Sequence, residues 1–262
     1  MSPASPEIDR IAPTRRSAGP AVGYHTWRDL TFLHWKFPPE LIAPLIPAGL
    51  TLDTFEGEAW VGLVPFFMAN VRPSWFWAVP GLSHFCETNV RTYVHFRGQD
   101  PGVWFLSLDA SNSIAVLAAR LGWHLPYFRS EMSLTVDGSW RRYRSIRRWP
   151  GPRGVGCQVS ARFGPLLGSD EPHRSKPPGE AIPGSFEHFL VERYLLFAQG
   201  RDGSLHRGQV HHRPYPVSTV TELEYDDSLL PSHGLTVSRP PDHIAASTGV
   251  DVEIFPLRRI SD

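Results

Sequence analysis

The sequence predicts an α+β, mainly β domain, in which an antiparallel or mixed sheet closes on itself and a few short helices are added. Three observations predict it. Runs rich in β-branched and aromatic residues recur along the chain, each bounded by Gly, Pro, Asp or Asn. Only two segments of any length carry helical spacing of their apolar residues. The chain has 262 residues, a length at which β-barrels and sandwiches fold as one unit.

The elements follow in order. Residues 1–22 are rich in Pro, Ser, Ala and Arg, and read as a flexible tail ahead of a single domain over 23–262. The tail has no apolar core segment, so it does not read as a secretory signal. Residues 38–47 (PPELIAPLIP) predict a short helix broken at Pro44. Trp60–Val71 predicts a strand with a bulge near Pro65. Glu87–Phe96 (ETNVRTYVHF) is the clearest strand, and Val103–Asp109 is the next. Ile114, Leu117, Ala118 and Leu121 then fall at helical spacing, with Ser111 as N-cap and Gly122 as the stop. Phe128–Asp137 and Trp140–Arg148 read as a hairpin turning at Asp137-Gly138. Gly156–Phe163 is a strand. The run from Gly164 to Gly184 is too rich in Pro and Gly for a regular element and reads as a surface loop. Phe186–Phe197 predicts a second helix capped by Ser185, and Val217–Tyr225 and Val250–Pro256 predict the last strands.

Composition excludes several classes. The formal net charge is zero, so no global field favours nucleic acid or an anionic membrane. Of the 26 basic residues, Lys36 and Lys176 are the two lysines, leaving 24 arginines. Arg stays charged and supplies no amine nucleophile. Two cysteines without a CxxC spacing argue against a disulfide framework or a zinc ribbon and suit a reducing compartment. The longest mostly apolar run, Trp60–Val71, is shorter than the roughly 20 residues of a membrane helix. These features predict a soluble cytoplasmic protein that engages neither membrane nor nucleic acid.

The chemistry concentrates on the strand Glu87–Phe96. Side chains alternate across a strand, so Glu87, Asn89, Arg91 and Tyr93 share one face. Four polar groups in a row are costly to bury unless they satisfy one another or a ligand. Ser107 and Asp109, two apart on the next strand, extend a polar wall if the two strands share that face. A solvated outer face with an exposed ion pair is the competing reading.

Several stretches resemble the YqjF-like family: LTFLHWKFPPELIAPLIPAGL (30–50), AWVGLVPFFMANVRP (59–73), ETNVRTYV (87–94), VWFLSLDASN (103–112), LPYFRSEM (125–132) and FLVERYLLF (189–197). Together with the His211-His212 stretch they cover roughly residues 24–225, in order. That family is similar to acetoacetate decarboxylase in fold. The resemblance implies a curved antiparallel sheet, cone- or barrel-like, around a buried pocket into which the Glu87 face points. It is also compatible with a homo-oligomer, which the sequence itself does not demand.

In acetoacetate decarboxylase a lysine forms an imine with the ketone substrate. The resemblance places Tyr127 and Phe128 at the positions of two neighbouring lysines, and neither forms an imine. It matches Glu87 to a pocket glutamate. The expected site therefore has Glu87 as acid or base, Arg91 as an anion clamp, and Asn89, Tyr93, Asp109 and Tyr127 around the ligand. No cofactor and no metal is expected. The expected ligand is a carboxylate or β-dicarbonyl compound handled without Schiff-base chemistry. A noncatalytic ligand-binding or protein-interaction module, with the polar row structural, is the alternative.

Weaker candidates remain. His188 and Glu192 are i,i+4 but lack a third metal ligand. His206, His211 and His212 cluster in sequence and read as solvated. Arg141, Arg142, Arg144, Arg147 and Arg148, interleaved with Trp140, Tyr143 and Trp149, resemble a nucleic-acid track, but strand alternation divides them between two faces and they read instead as an exposed strand paired with carboxylates. Cys86 reads as a small core residue. GxSxG, P-loop and dinucleotide glycine motifs are absent from the sequence.

Overall fold

The computed structural model describes residues 8–260. In chain order the elements are β1 (Gly23–Phe37), α1 (Pro39–Ile42), β2 (Thr51–Leu52), β3 (Ala59–Pro73), β4 (Phe85–Phe96), β5 (Gln99–Ala110), α2 (Ser113–Gly122), β6 (Tyr127–Asp137), β7 (Trp140–Trp149), β8 (Gly156–Leu166), α3 (Phe186–Val191), β9 (Leu195–Gln199), β10 (Leu205–His211), β11 (Val217–Asp227), β12 (His243–Ile254) and β13 (Arg258–Arg259). All thirteen strands belong to one sheet, ordered β13-β10-β9-β5-β6-β7-β8-β11-β12-β1-β3-β4-β2, with β4 also paired to β5 and β10 to β12. The expected mainly β fold with a curved sheet and short helices is therefore what the chain adopts.

The two extra pairings give the sheet its shape. Strands β12, β1, β3, β4 and β5 form a shared wall. From the edges of that wall, β6-β7-β8-β11 closes one circuit and β9-β10 closes another. The edges fork: β5 pairs with β9 at Val103–Trp104 and with β6 at Leu108–Ala110. Likewise β12 meets β11 at Ala246–Ser247 and β10 at Glu253–Ile254.

A wall between two interiors is apolar on both faces. Every residue of β4 from Phe85 to Val94 is buried. Leu30–Trp35 of β1 is buried without a break, which hides the period-2 signal and explains why this strand escapes a pattern-based reading. One interior gathers Phe32, Phe66, Met68, Leu108 and Phe189. The other gathers Leu33, Trp35, Leu63, Val90 and Val159. Pro65 lies on β3, and beside it the β1–β3 register shifts between Arg28 and Leu33. The extra residue is on β1, where Asp29 takes a positive φ of 53°.

Other expectations change in detail. Asn112, not Ser111, caps α2, accepting from the backbone of Ile114 and Ala115 at 2.9 and 3.1 Å. The apolar stripe Ile114, Leu117, Leu121 faces outward at 61%, 53% and 61% exposure, while Val116 is the buried residue of the helix. The predicted second helix ends at Val191, and Leu195–Gln199 becomes β9 because it pairs with β10 and β5. The final strand is longer than predicted, running from His243 because β1 pairs along it. The predicted tail of residues 1–22 lies partly outside the described residues. Within them, Arg10 binds the buried Asp53 and Arg16 binds Glu253. Among the described residues no helix is long and apolar enough to cross a membrane.

Candidate functional site

The β4 polar row points into a cavity of about 680 Å³ on one side of the wall. Register explains which residues reach it. Glu87, Asn89 and Arg91 lie opposite Phe66, Val64 and Gly62 of β3. On the other side Asn89 lies opposite Leu108 of β5, and Leu108 opposite Tyr127 of β6. All of these except Gly62 line the cavity, with Phe105, Trp123 and Leu125 adding apolar wall. Gly62 leaves the space that the row needs. A Cβ there would sit 2.9 Å from the His34 ring and 3.6 Å from Cγ of Arg91.

Glu87 is fully enclosed, and Tyr127 donates to its Oε2 at 2.8 Å. Burial pushes the Glu87 carboxyl up to about 8; the Tyr127 hydrogen bond opposes that rise and the Asp109 carboxylate adds to it. The Tyr127 hydroxyl is pushed well above its ordinary range by burial and by Glu87. Asn89 Oδ1 is buried without a partner among the described residues. Arg91 Nη2 donates to the Leu190 carbonyl at 3.0 Å, and its Nε has no partner. The guanidinium lies 5.7 Å from the ring centres of Phe32 and Tyr93. No carboxylate pairs with Arg91 among the described residues.

A second guanidinium, Arg193, reaches the same cavity but is paired with a carboxylate, which it shares with Arg10. Its Nη1 binds Asp53 at 2.7 Å and its Nε binds the Phe189 carbonyl at 2.7 Å. Sequence reading missed Arg193, Tyr194 and Tyr215, which also line the cavity. The one signal was the polar trio Glu192-Arg193-Tyr194 inside an apolar run. Glu192 accepts from the Tyr194 hydroxyl at 2.6 Å and the Tyr215 amide at 2.9 Å, and burial pushes its carboxyl up to about 7.

Two expected site residues lie elsewhere. Tyr93 continues the β4 row, but its hydroxyl donates to the Leu190 carbonyl at 2.7 Å and meets His34 Nε2 at 2.8 Å. It packs behind the cavity rather than lining it. Asp109 lies opposite Thr88, not Glu87, so the two strands present Asp109 and Ser107 to the other interior. There Asp109 accepts from Ser130 Oγ at 2.6 Å and from Arg147 Nε and Nη2 at 2.9 and 2.7 Å. Phe128, one residue after Tyr127, points the same way and stacks 3.6 Å from the Arg147 guanidinium.

The remaining candidates disperse. Arg147 is buried, while Arg141, Arg142 and Arg148 pair with Asp29, Asp137 and Glu131. Glu192 is held by the two tyrosines rather than by His188. His206 and His211 lie on β10, and His211 faces Glu253 at 3.4 Å. His212 is buried and stacks on Tyr194 at 4.4 Å between ring centres. No cluster of three His, Cys, Asp or Glu side chains suited to a metal ion occurs among the described residues. Burial raises the Cys86 thiol to about 11, as suits an inert core residue.

The curved, forked sheet with its short helices places the chain in the acetoacetate decarboxylase-like fold. The acetoacetate decarboxylase of Legionella pneumophila is similar with a TM-score of 0.60 at 14% identity, covering 100% of this chain and 99% of that one. The enduracididine biosynthesis enzyme MppR, solved with pyruvate, is similar with a TM-score of 0.60 at 13% identity over 95% and 94%. An acetoacetate decarboxylase-like enzyme of Sphingomonas wittichii RW1 gives 0.62 at 10% identity over 94% and 96%. At these identities the likeness is one of fold.

Within that fold, the chain belongs to the DUF2071 family of uncharacterized conserved proteins, whose pattern matches residues 24–251. The uncharacterized protein YqjF of Bacillus subtilis (strain 168) is 32% identical over 236 residues, covering 90% of this chain and 91% of that protein.

Proposed function

We propose that the cavity binds a carboxylate or β-dicarbonyl compound and acts on it by acid–base chemistry without an imine. The observation that carries this reading is Arg91. It is a buried guanidinium on the cavity wall whose hydrogen-bond partner among the described residues is one backbone carbonyl. A charge left so is costly unless an anion completes it, and its planar fork suits a carboxylate. Asn89, one face-position along, adds a second polar contact.

Glu87 supplies the acid. With its carboxyl near 8, most of it is protonated at neutral pH, and a proton donor near the operating pH is suited to general acid–base work. The ionised fraction of Glu87 would take the proton from the carbon beside the ligand's carbonyl, breaking that C–H bond as the enolate forms, and protonated Glu87 would return a proton to the same carbon as the enolate collapses. Tyr127 holds the Glu87 carboxyl in place through its hydroxyl. No lysine lines the cavity, so the step does not run through a Schiff base. MppR, of the same fold, is described with bound pyruvate, an oxo acid of the class proposed here.

A thermal-shift panel of small carboxylates, oxo acids and lactones tests the reading. A ligand at a hundred times its dissociation constant adds about 2.7 kcal/mol of stability. Such a ligand should raise Tm in the wild type and not in Arg91→Met. Solvent deuterium exchange into the α-position of a bound oxo acid, followed by NMR, should be fast with the wild type and lost with Glu87→Gln while binding persists. Binding without exchange in either protein points to a noncatalytic sensor. A panel that shifts nothing abandons the pocket for a structural role.

A further inference from the structure

The cavity changes character along its length. At the inner end Arg91, Asn89 and Tyr215 are 9%, 5% and 3% exposed. At the outer end Trp77 and Ile114 also line it, yet they are 71% and 61% exposed. This outer rim is built from two segments, α2 and the connection between β3 and β4 over residues 74–84. Asn112 joins them. Besides capping α2, it donates from Nδ2 to the Leu82 carbonyl at 2.6 Å. The same two segments carry further exposed apolar side chains, Trp75, Leu117 and Leu121. Exposed apolar side chains gathered on the segments that form a cavity mouth mark a place where something apolar passes or rests.

Size argues the same way. A volume of about 680 Å³ is that of roughly twenty water molecules. An acid the size of acetate or pyruvate that satisfied Arg91 would leave most of that space, and nearly all of its apolar wall, without a partner.

We infer that the site takes carboxylates with a long apolar tail. The head lies at Arg91 and Asn89, and the tail runs past Glu87 and Tyr127 to the collar formed by α2 and residues 74–84. This rests on the acid pocket proposed above and names the class of acid. The geometry also sets where chemistry falls. Glu87 and Tyr127 meet the ligand along its body, between the head at Arg91 and the rim.

Calorimetric titration of the full chain with butanoate, hexanoate, octanoate, decanoate and dodecanoate tests it. Each methylene buried from water changes affinity about fourfold, so Kd should fall by about that factor per methylene and level off once the tail clears the rim. In Arg91→Met, decanoate should bind at least tenfold more weakly. Ala119, on the cavity wall from α2, offers a complementary variant. Ala119→Phe should weaken decanoate at least tenfold and leave hexanoate within about twofold. Ala115→Phe serves the same purpose if that protein fails to fold by circular dichroism. Binding that depends on Arg91 but is flat across the series overturns the tail and leaves the acid pocket standing. Decanoate binding unchanged by both Arg91→Met and Ala119→Phe lies outside the cavity and overturns the inference. No binding by any acid overturns both readings.

Discussion

On each face of the β4–β5 pair a buried acid meets or neighbours a buried arginine, Arg147 reaching Asp109 from β7, and the two are arranged in opposite ways. On one side Asp109 and Arg147 bind each other through two hydrogen bonds, Ser130 takes part of the remaining acceptor capacity, and Phe128 covers the guanidinium. On the other side the acid and the arginine are kept apart. Glu87 is bonded to Tyr127 and Arg91 to a backbone carbonyl, with a cavity beside both. The first arrangement is complete within the chain. The second is incomplete in the chain alone, and that difference separates a structural network from a candidate site more clearly than residue type does.

Arg147→Met and Arg91→Met should break the comparison most visibly. Removing Arg147 leaves Asp109 buried and unpaired, at a cost of about 3–5 kcal/mol. Removing Arg91 strands no carboxylate, so the unfolding free energy should change by less than about 1 kcal/mol or rise. Guanidinium chloride titrations at neutral pH measure both. Equal losses would mean that Arg91 is as structural as Arg147.

A change of pH sharpens the contrast next. The Glu87 carboxyl sits at about 8 in the folded chain against an ordinary 4.5. Between those values the unfolded chain binds fewer protons than the folded one, so stability falls as pH rises. The contribution is full below about 4.5 and lost as pH climbs through about 8, a change on the order of a few kcal/mol. Glu192 adds to the same alkaline limb. Glu87→Gln should flatten the profile between pH 5 and 9, read by denaturant midpoints. An unaltered slope in that variant would remove Glu87 from the account.

Tyr127→Phe should have a smaller effect than Arg147→Met or the pH change, near the 1 kcal/mol of one hydrogen bond. That bond lowers the Glu87 carboxyl against the rise from burial. Without it the carboxyl should titrate higher still, as followed by the infrared band of the protonated acid. A downward shift would show that Tyr127 does not stabilise the ionised form.

Much of this was readable from residues, and the rest failed for identifiable reasons. Parity along Glu87–Phe96 placed Glu87, Asn89 and Arg91 on one face, because a strand has no other way to turn them. Parity does not fix register between strands. A match of Asp109 with Thr88 rather than Glu87 is set by the whole sheet, and it sent Asp109 to the opposite interior. Strand β1 was hidden because burial on both faces erases alternation. The fate of Leu195–Gln199 was decided by tertiary pairing with β5 and β10 over local helical pattern. Arg193 and Tyr215 entered the cavity from distant segments whose approach only the closed circuits create.

The closure of those circuits has a kinetic side. β1 pairs with β12 from Gly23 against Ile254 to His34 against His243, nearly the full span of the chain. Neither ring can shut, and no cavity can exist, until the last long strand is available. A topology so dominated by distant partners folds slowly. While it waits, strands made to be apolar on both faces stand unpaired and prone to aggregate. Yield of folded protein should therefore depend on temperature and on chaperone supply during synthesis. A truncation before His243 should leave an aggregating chain rather than a smaller functional one.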